Sequence, residues 1–177
     1  TLGMLKESLS PEGLKWYSKC GEYISLATHE VRNLSHRLAP AFFNESTLEQ
    51  AFNTLLSEFN MKGKYEISLF FDKALQKYTL SLEMQLNLYR ILQEQLKNIV
   101  KYANASYIEV DVVLFNNKLL MKISDDGVGF DTSIIKSGIG LANMKRRAEL
   151  FSGRFNINSA PGQGCVVMVN MPLQQAG

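Results

Sequence analysis

Apolar residues recur at two different spacings along the chain, and the change of spacing separates two regions. In residues 13–38 they follow one another at alternating steps of three and four, the a/d spacing of a heptad repeat. This seam predicts the second helix of a helical hairpin that packs in a bundle or a dimer, after the end of a first helix within residues 1–9. The seam positions are Tyr17, Cys20, Ile24, Ala27, Val31, Leu34 and Leu38.

From residue 46 onwards the pattern alternates between helical and strand periods. A capping box at Ser46–Glu49 opens a helix that Gly63 ends, and a long helix is predicted from Ser81 to Ala103. A further helix starts at Gly138 and runs to about Phe151. The predicted strands are 65–71, 107–115, 118–124, 154–159 and 165–172, with a hairpin turn at Asn116-Asn117.

These elements predict the fold class and the domains. We expect an α/β (α+β) two-layer sandwich, with a mixed, mostly antiparallel sheet covered by helices on one face. A partial helical hairpin precedes it. The predicted domains are residues 1–40 for the hairpin and residues 41–177 for the sandwich.

Charge and cysteine content limit the classes of partner. A formal net charge of +2 over 177 residues is too small to indicate nucleic acid or an anionic membrane. Cys20 and Cys165 lie far apart in unlike contexts, so neither a disulfide framework nor a zinc site is indicated. This cysteine usage suits a reducing cytosol, so we expect a cytoplasmic location. There is no signal peptide and no apolar run of bilayer length. Because Thr1 is not Met and lies in a helical pattern, we expect a fragment, which leaves open a membrane anchor upstream.

A polar stripe runs along the predicted helix at 81–103. Arg90, Glu94, Asn98 and Lys101 fall on one side of that helix, opposite an apolar face. A solvated surface is the ordinary interpretation, but Asn98 is a poor helix former and carries no charge. Glu94 and Asn98 also form an oxygen pair four residues apart, which suits Mg²⁺ that shares its ligand shell with phosphates and water. Both interpretations remain open from the helix alone.

Acids and glycines follow the predicted strand at 118–124 in the segment SDDGVGFD, residues 124–131. Gly127 and Gly129 allow positive φ and let a flat ligand approach the backbone. Gly138 and Gly140 precede a helix, whose first N–H groups form a phosphate site. Each glycine pair alone is also common in ordinary turns. The spacing excludes an EF-hand, and the Walker and dinucleotide motifs are absent.

The order of these motifs resembles the sensor histidine kinases of two-component systems, which have a GHKL-type ATPase domain. Residues 90–103 (RILQEQLKNIVKYA) resemble their N box, residues 124–131 their first glycine box and residues 137–148 (SGIGLANMKRRA) their second. With residues 159–164 (SAPGQG), the resemblance covers roughly residues 45–172. It is closest to the subgroup whose kinases pair with helix-turn-helix response regulators.

The resemblance implies a site for ATP and Mg²⁺. Asp125 would accept a hydrogen bond from the adenine amino group. From the residues themselves we expect Asp126 and Asp131 only to cap a turn or to be solvated. Asn98 would bind both Mg²⁺ and ATP, Glu94 would act on the metal through water, and Lys101 would reach phosphate, so these three are the catalytic candidates. The other residues implied to bind ATP are Gly127, Gly129, Gly138, Gly140 and Leu141.

Three departures from the family pattern set further expectations. Tyr102 stands where the N box usually has His, which removes an imidazole near the phosphates. Cys165 replaces the usual Thr, which removes a hydroxyl near the base and leaves a small core hydrophobe. The loop at residues 131–137 is short, which predicts a minimal lid over ATP and modest nucleotide affinity.

The phosphoacceptor that the resemblance requires is not evident in this chain. His29 begins a segment, HEVRN, that resembles the acceptor box of other histidine kinases, but the proline expected after it is missing. No second bundle helix fits between Pro40 and Ser46, and both His29 and His36 face away from the seam. We expect the acceptor on the first hairpin helix, upstream of Thr1, so that this chain binds ATP without phosphorylating itself.

The predicted function is the ATP-binding catalytic region of a sensor histidine kinase. It would form a homodimer through the helical hairpin and pass a phosphoryl group to an aspartate of a response regulator. The region itself is predicted to contact neither nucleic acid nor membrane. One alternative is a degenerate module that senses nucleotide without catalysis. Another is a different GHKL-type ATPase, such as an anti-sigma-factor serine kinase or a chaperone-like ATPase.

Overall fold

The chain divides into two compact units, Thr1–Ala41 and Phe42–Gly177. The computed structural model describes residues 13–14, 16–24, 47–132 and 138–173. No helix among these residues is both long enough and apolar enough to cross a bilayer.

In the first unit the described residues, 13–14 and 16–24, are helical, in agreement with the heptad pattern. Cys20 and Ile24 of the predicted seam are exposed. The seam positions from Ala27 onwards lie outside the described residues, as do His29 and His36. The role of this unit as a dimerisation hairpin therefore stays a prediction.

The described part of the second unit alternates helices and strands. Helix α1 spans Leu48–Phe59 and strand β1 spans Glu66–Phe71, followed by a 3₁₀ turn at Lys73–Lys77. Helix α2 spans Leu82–Asn98 and continues as a π-helical turn at Ile99–Ala103. The remaining elements are β2 (Tyr107–Phe115), β3 (Lys118–Asp125), α3 (Ile139–Glu149), β4 (Arg154–Ser159) and β5 (Cys165–Pro172).

Helix α1 begins one residue later than the sequence predicts. Thr47, not Ser46, is the N-cap, and its side chain accepts a hydrogen bond from the backbone N–H of Gln50 at 3.3 Å. The Gln50 side chain accepts from the Thr47 backbone N–H at 2.8 Å, which completes the capping box. The predicted box at Ser46–Glu49 is wrong because the neighbouring pair, Thr47 and Gln50, has the same chemistry and is the one used.

The strands form one mixed sheet in the order β1-β2-β3-β5-β4. Only the pairing of β1 with β2 is parallel, and the other pairings in this described sheet are antiparallel. Asn116 and Asn117 have φ of 49° and 56°, the left-handed conformations of a type I′ turn. The predicted hairpin between β2 and β3 is thus confirmed, and so is the mostly antiparallel sheet.

The core lies between one face of the sheet and the helices. Alternate residues of β2 and β5 are fully buried, such as Val110 and Val167, while their neighbours are only partly covered. Leu88, Ile91 and Leu92 of α2 are likewise inaccessible to solvent. Burying one such side chain contributes about 1.5–3 kcal/mol, so this layer fixes the position of α2 against the sheet. It confirms the predicted two-layer sandwich.

Candidate functional site

A cleft of about 700 Å³ opens where three parts of the second unit meet. The end of α2 with its π-helical turn forms one wall. The adjoining ends of β3 and β5 and the loop after β3 form the floor, and the start of α3 forms the opposite wall. All of the predicted site residues except Gly127 line it. They are Glu94, Asn98, Lys101, Asp125, Gly129, Gly138, Gly140 and Leu141.

Asp125 is the buried acid of this cleft, with 7% of its surface exposed. It is the last residue of β3 and pairs in register with Cys165, the first of β5. Its Oδ1 accepts a hydrogen bond from the backbone N–H of Gly127 at 3.1 Å. Burial raises the pKa of this carboxyl, and backbone hydrogen bonds from Gly127 and Cys165 oppose the rise. A buried carboxylate of this kind can accept a hydrogen bond from a ligand with little competition from water.

Gly129 turns the loop after β3 into the cleft. Its φ is +61°, and a Cβ at this position would collide with the carbonyl oxygens of Ala160 and Gly164. A hydrogen bond also fixes the loop on this side, because the backbone N–H of Gly162 donates to the carbonyl oxygen of Val128 at an N···O distance of 2.7 Å. Glycine is therefore required here both by backbone conformation and by space.

Gly127 lies behind the cleft rather than along it. A Cβ on Gly127 would collide with the backbone of Ala103, and the N–H of Val128 donates to the Ala103 carbonyl at 2.7 Å. This glycine lets the loop pack against the π-helical turn. The structure thus gives it a packing role inside the protein, and its predicted contact with nucleotide stays a prediction.

Asp126 points away from the cleft and closes the turn before β2. Its Oδ1 accepts hydrogen bonds from the backbone N–H groups of Ser106 and Tyr107, each at 2.8 Å. These bonds lower the pKa of the Asp126 carboxyl, and the bond from Tyr107 contributes more than the bond from Ser106. The predicted turn-capping role is confirmed, and the two adjacent aspartates have opposite environments.

The π-helical turn at Ile99–Ala103 widens the end of α2 where it borders the cleft. Such turns place side chains away from the regular helical positions and are frequent at functional sites. Lys101 and Tyr102 both line the cleft from this turn, and Tyr102 is 72% exposed. Asn104, with φ of 49°, ends the turn. Regular helical periodicity could not predict this local widening.

The N-terminus of α3 faces the same end of the cleft. Its N-cap, Gly138, supplies no side chain to the first backbone N–H groups, so these groups are positioned to meet an anion. Gly140 lies against Glu94, because a Cβ on Gly140 would come within 2.5 Å of Glu94 Oε1. The loop residues 133–137, to which the predicted minimal lid belongs, lie outside the described residues.

Several cleft residues were not predicted from the sequence. Ile99, Phe130 and Ile157 give the cleft apolar walls, and Gln95 is a buried amide on its α2 side. Strand alternation places Ile157 on the inner face of β4, but only the assembled sheet brings that position to the cleft.

Cys165 lines the floor beside Asp125 and is buried. Burial first, and then the charge of Asp125, raise the pKa of the Cys165 thiol to about 11. The thiol is therefore protonated and unreactive near neutral pH. This environment agrees with the prediction of a small core hydrophobe.

Comparison with known proteins places this geometry in a family. Residues 83–175 match the family model described as histidine kinase-, DNA gyrase B-, and HSP90-like ATPase. The oxygen sensor histidine kinase NreB of Staphylococcus carnosus is 32% identical over 81% of this chain and 42% of its own length. The histidine-protein kinase/phosphatase UhpB of Salmonella typhimurium is 32% identical over 90% of this chain and 32% of its own length. The chain thus spans less than half the length of these two relatives.

Solved structures share the fold. The histidine kinase domain of the blue-light activated kinase EL346 of Erythrobacter litoralis aligns with a TM-score of 0.61 at 16% identity, over 71% of this chain and 61% of that one. The mycobacterial sensor histidine kinase MprB aligns with a TM-score of 0.54 at 15% identity, over 72% of this chain and 95% of that one. At these identities the likeness concerns the fold alone.

Proposed function

The chain belongs to the family of histidine kinase-, DNA gyrase B- and HSP90-like ATPases, and from this premise we propose that its second unit is the ATP-binding catalytic region of a sensor histidine kinase. The observation that carries the proposal is a buried carboxylate, Asp125, on the floor of a cleft with apolar walls. The carboxylate would accept a hydrogen bond from the amino group of a flat base, and the apolar walls would cover the ring of that base.

The base would enter at the strand end of the cleft. Asp125 would accept a hydrogen bond from the adenine amino group, while Ile99, Phe130 and Ile157 contact the ring. Gly129 keeps the backbone side of this pocket without a side chain. A hydrogen bond to a charged partner is worth about 1.5–3 kcal/mol, so Asp125 would supply a large share of base selectivity.

The phosphates would lie at the helix end, where the donor set fits Mg²⁺. Glu94 and Asn98 bring side-chain oxygens to one wall of the cleft, and hard oxygen ligands are those that Mg²⁺ prefers. Lys101 and the N–H groups at Gly138 and Gly140 would hold phosphate oxygens. The bound cation would neutralise charge on the phosphates, and the chain's own residues would orient them.

In the intact protein the γ-phosphate of ATP would be presented to a histidine. An imidazole nitrogen forms the new bond to the γ-phosphorus, the bond from this phosphorus to the ADP oxygen breaks, and ADP leaves. The phosphoryl group would then pass from the histidine to an aspartate of a response regulator, of the DNA-binding helix-turn-helix type. We place this chemistry in the cytoplasm, and we assign the helical hairpin of the first unit to a homodimer.

The acceptor histidine is proposed to lie outside this chain, on the first helix of that hairpin. His29 lacks the proline expected after an acceptor box. Both curated relatives carry the name histidine kinase, so the alternatives of a nucleotide sensor and of another GHKL-type ATPase are not favoured.

Calorimetry with ATP, followed by incubation with ATP labelled at the γ-phosphate, tests the proposal. The 177-residue chain should bind ATP and stay unlabelled, while a longer form that includes the upstream hairpin helix should become labelled on histidine. An absence of ATP binding would overturn the nucleotide site. Label on His29 would overturn the proposed location of the acceptor.

A further inference from the structure

Gln95 is a buried polar side chain in the wall of the cleft, with 3% of its surface exposed. It lies on α2 directly after Glu94 and one turn before Asn98. An amide buried this deeply costs free energy unless hydrogen bonds replace those it would make with water. Leu or Met would fill the same space without that cost, so the bonds of this amide indicate what it does.

The Gln95 amide joins the two ends of the cleft. Its Oε1 accepts a hydrogen bond from Asn98 Nδ2 at 3.4 Å. Its Nε2 donates to Cys165 Sγ at 3.9 Å. Cys165 pairs in register with Asp125 at the strand end of the cleft, the base end, where the base is proposed to bind. The N···O distance to Asn98 is longer than the usual range for such a bond, about 2.7–3.2 Å.

In the hydrogen bond between these two amides Asn98 donates and Gln95 accepts, which corresponds to one of the two orientations of the Asn98 amide. When Nδ2 of Asn98 faces Gln95, the oxygen of the same amide faces the other way. Among the described residues no hydrogen bond engages Asn98 Oδ1, so this atom is available to a ligand in the cleft. In the opposite orientation Asn98 would present an NH₂ group, which cannot bind a cation. Groups behind a metal ligand commonly fix its orientation in this manner.

We propose, resting on the function proposed above, that Gln95 is a positioning residue that turns the Asn98 amide so that its oxygen faces the divalent cation bound with the nucleotide. Gln95 does not itself touch the cation. It also connects this ligand, through Cys165, to the strand ends that form the base pocket.

The test separates metal-dependent from metal-independent binding. The affinity of the 177-residue chain for ADP is measured by calorimetry in MgCl₂ and again in EDTA, and the ratio of the two is the magnesium gain. Gln95→Met keeps side-chain length and removes the amide. We expect ADP affinity in EDTA to be unchanged and the magnesium gain to fall by about tenfold, the lower range for residues behind a metal ligand.

A matched control and a second background keep the test specific. Gln93→Met makes the same chemical change two residues earlier on α2, outside the cleft lining, and should retain the full magnesium gain. In an Asn98→Asp background both side-chain oxygens are equivalent and need no orienting partner. Adding Gln95→Met to that background should change the gain by less than about twofold, the limit expected for independent sites.

Four results would overturn the inference. A full magnesium gain in Gln95→Met would show that Asn98 needs no partner. An equal loss of affinity in MgCl₂ and EDTA, or the same loss in the Asn98→Asp background, would assign Gln95 a role in packing only. If the unaltered chain bound no ADP under either condition, the proposed function would fail and this inference with it.

Discussion

The two ends of the cleft are built in opposite ways. At the base end, strand termini and loops meet through close backbone contacts, and Gly129 and Gly164 have no room for a Cβ. At the phosphate end the wall consists of helix termini, where no described atom lies within 4 Å of a Cβ on Gly138 and Tyr102 is largely exposed. The base end is therefore already shaped before a ligand arrives, whereas the phosphate end is formed by side chains that remain accessible.

This difference suits the two tasks of the proposed function. A rigid pocket can select a flat ring by shape and by one buried acceptor, because it pays little entropy on binding. Phosphoryl transfer requires groups that reach both the nucleotide and a second reactant, so they must stay exposed. Substitutions at the base end should therefore affect stability and nucleotide affinity, and those at the phosphate end should affect magnesium-dependent steps.

The largest effect is expected from Gly129→Ala. The added methyl group meets two carbonyl oxygens and the residue keeps a φ of +61°. Overpacking and left-handed strain each cost about 1–3 kcal/mol, so we expect the free energy of unfolding to fall by about 3 kcal/mol. Urea denaturation followed by circular dichroism measures this change.

Two further variants, Gly162→Ala and Gly138→Ala, separate the contributions of strain and of overpacking to the stability lost in Gly129→Ala. Gly162 has φ of +76°, and no described atom lies within 4 Å of an added Cβ, so the loss of stability in Gly162→Ala measures left-handed strain alone. Gly138 has φ of −62°, and it too has no described atom within 4 Å of an added Cβ. The expected order of destabilisation is Gly129, Gly162, Gly138. Equal losses at Gly129 and Gly138 would remove the contrast between the two ends.

The next effect is on affinity. Asp125→Asn keeps an oxygen for the N–H of Gly127 but removes the charge that would hold the adenine amino group. A charged hydrogen bond is worth about 1.5–3 kcal/mol, so ATP affinity should weaken by about tenfold or more. Binding of tripolyphosphate, which has no base, should not change. Calorimetry with both ligands tests this difference.

Asp126→Asn is the matched control for that substitution. It makes the same change one residue later, at a carboxylate that caps Ser106 and Tyr107. We expect it to lower stability and to leave ATP affinity unaltered. If the two variants weakened ATP binding equally, Asp125 would not be the residue that recognises the base.

A smaller effect is expected where the two helices meet at the phosphate end. Gly140→Ala should raise the free energy of unfolding by up to about 0.5–1 kcal/mol, because Ala is the better helix former. Its methyl group would displace the Glu94 carboxylate and so reduce the magnesium gain in ADP affinity. Asn143→Ala, on the exposed side of α3, should stabilise the helix without that reduction. If the magnesium gain were undiminished in Gly140→Ala, Glu94 would have no role in binding the cation.

Sequence periodicity predicted the order and type of the elements of the second unit, because most of their apolar residues face one core. It could not place the capping box, since Thr47-Gln50 and Ser46-Glu49 offer the same local chemistry. It also gave Gln95 no role, because that role depends on Cys165, a residue on another element brought close only by folding. Gly127 shows the same limit, since the backbone that crowds it belongs to Ala103.

The smallest effect concerns pH at the base end. Because burial raises the pKa of Asp125, its carboxylate protonates at a higher pH than an ordinary aspartate and then no longer accepts from an amino group. Adenosine affinity should therefore fall as pH is lowered, reaching about half its plateau when pH equals the folded-state pKa. The free energy of unfolding changes in the opposite direction. It rises as pH falls, because protonation of Asp125 removes a buried charge from the folded state. Calorimetric titration with adenosine across acid pH should show this fall in the unaltered chain and a flat profile in Asp125→Asn. An equally steep fall in both would mean that another group titrates.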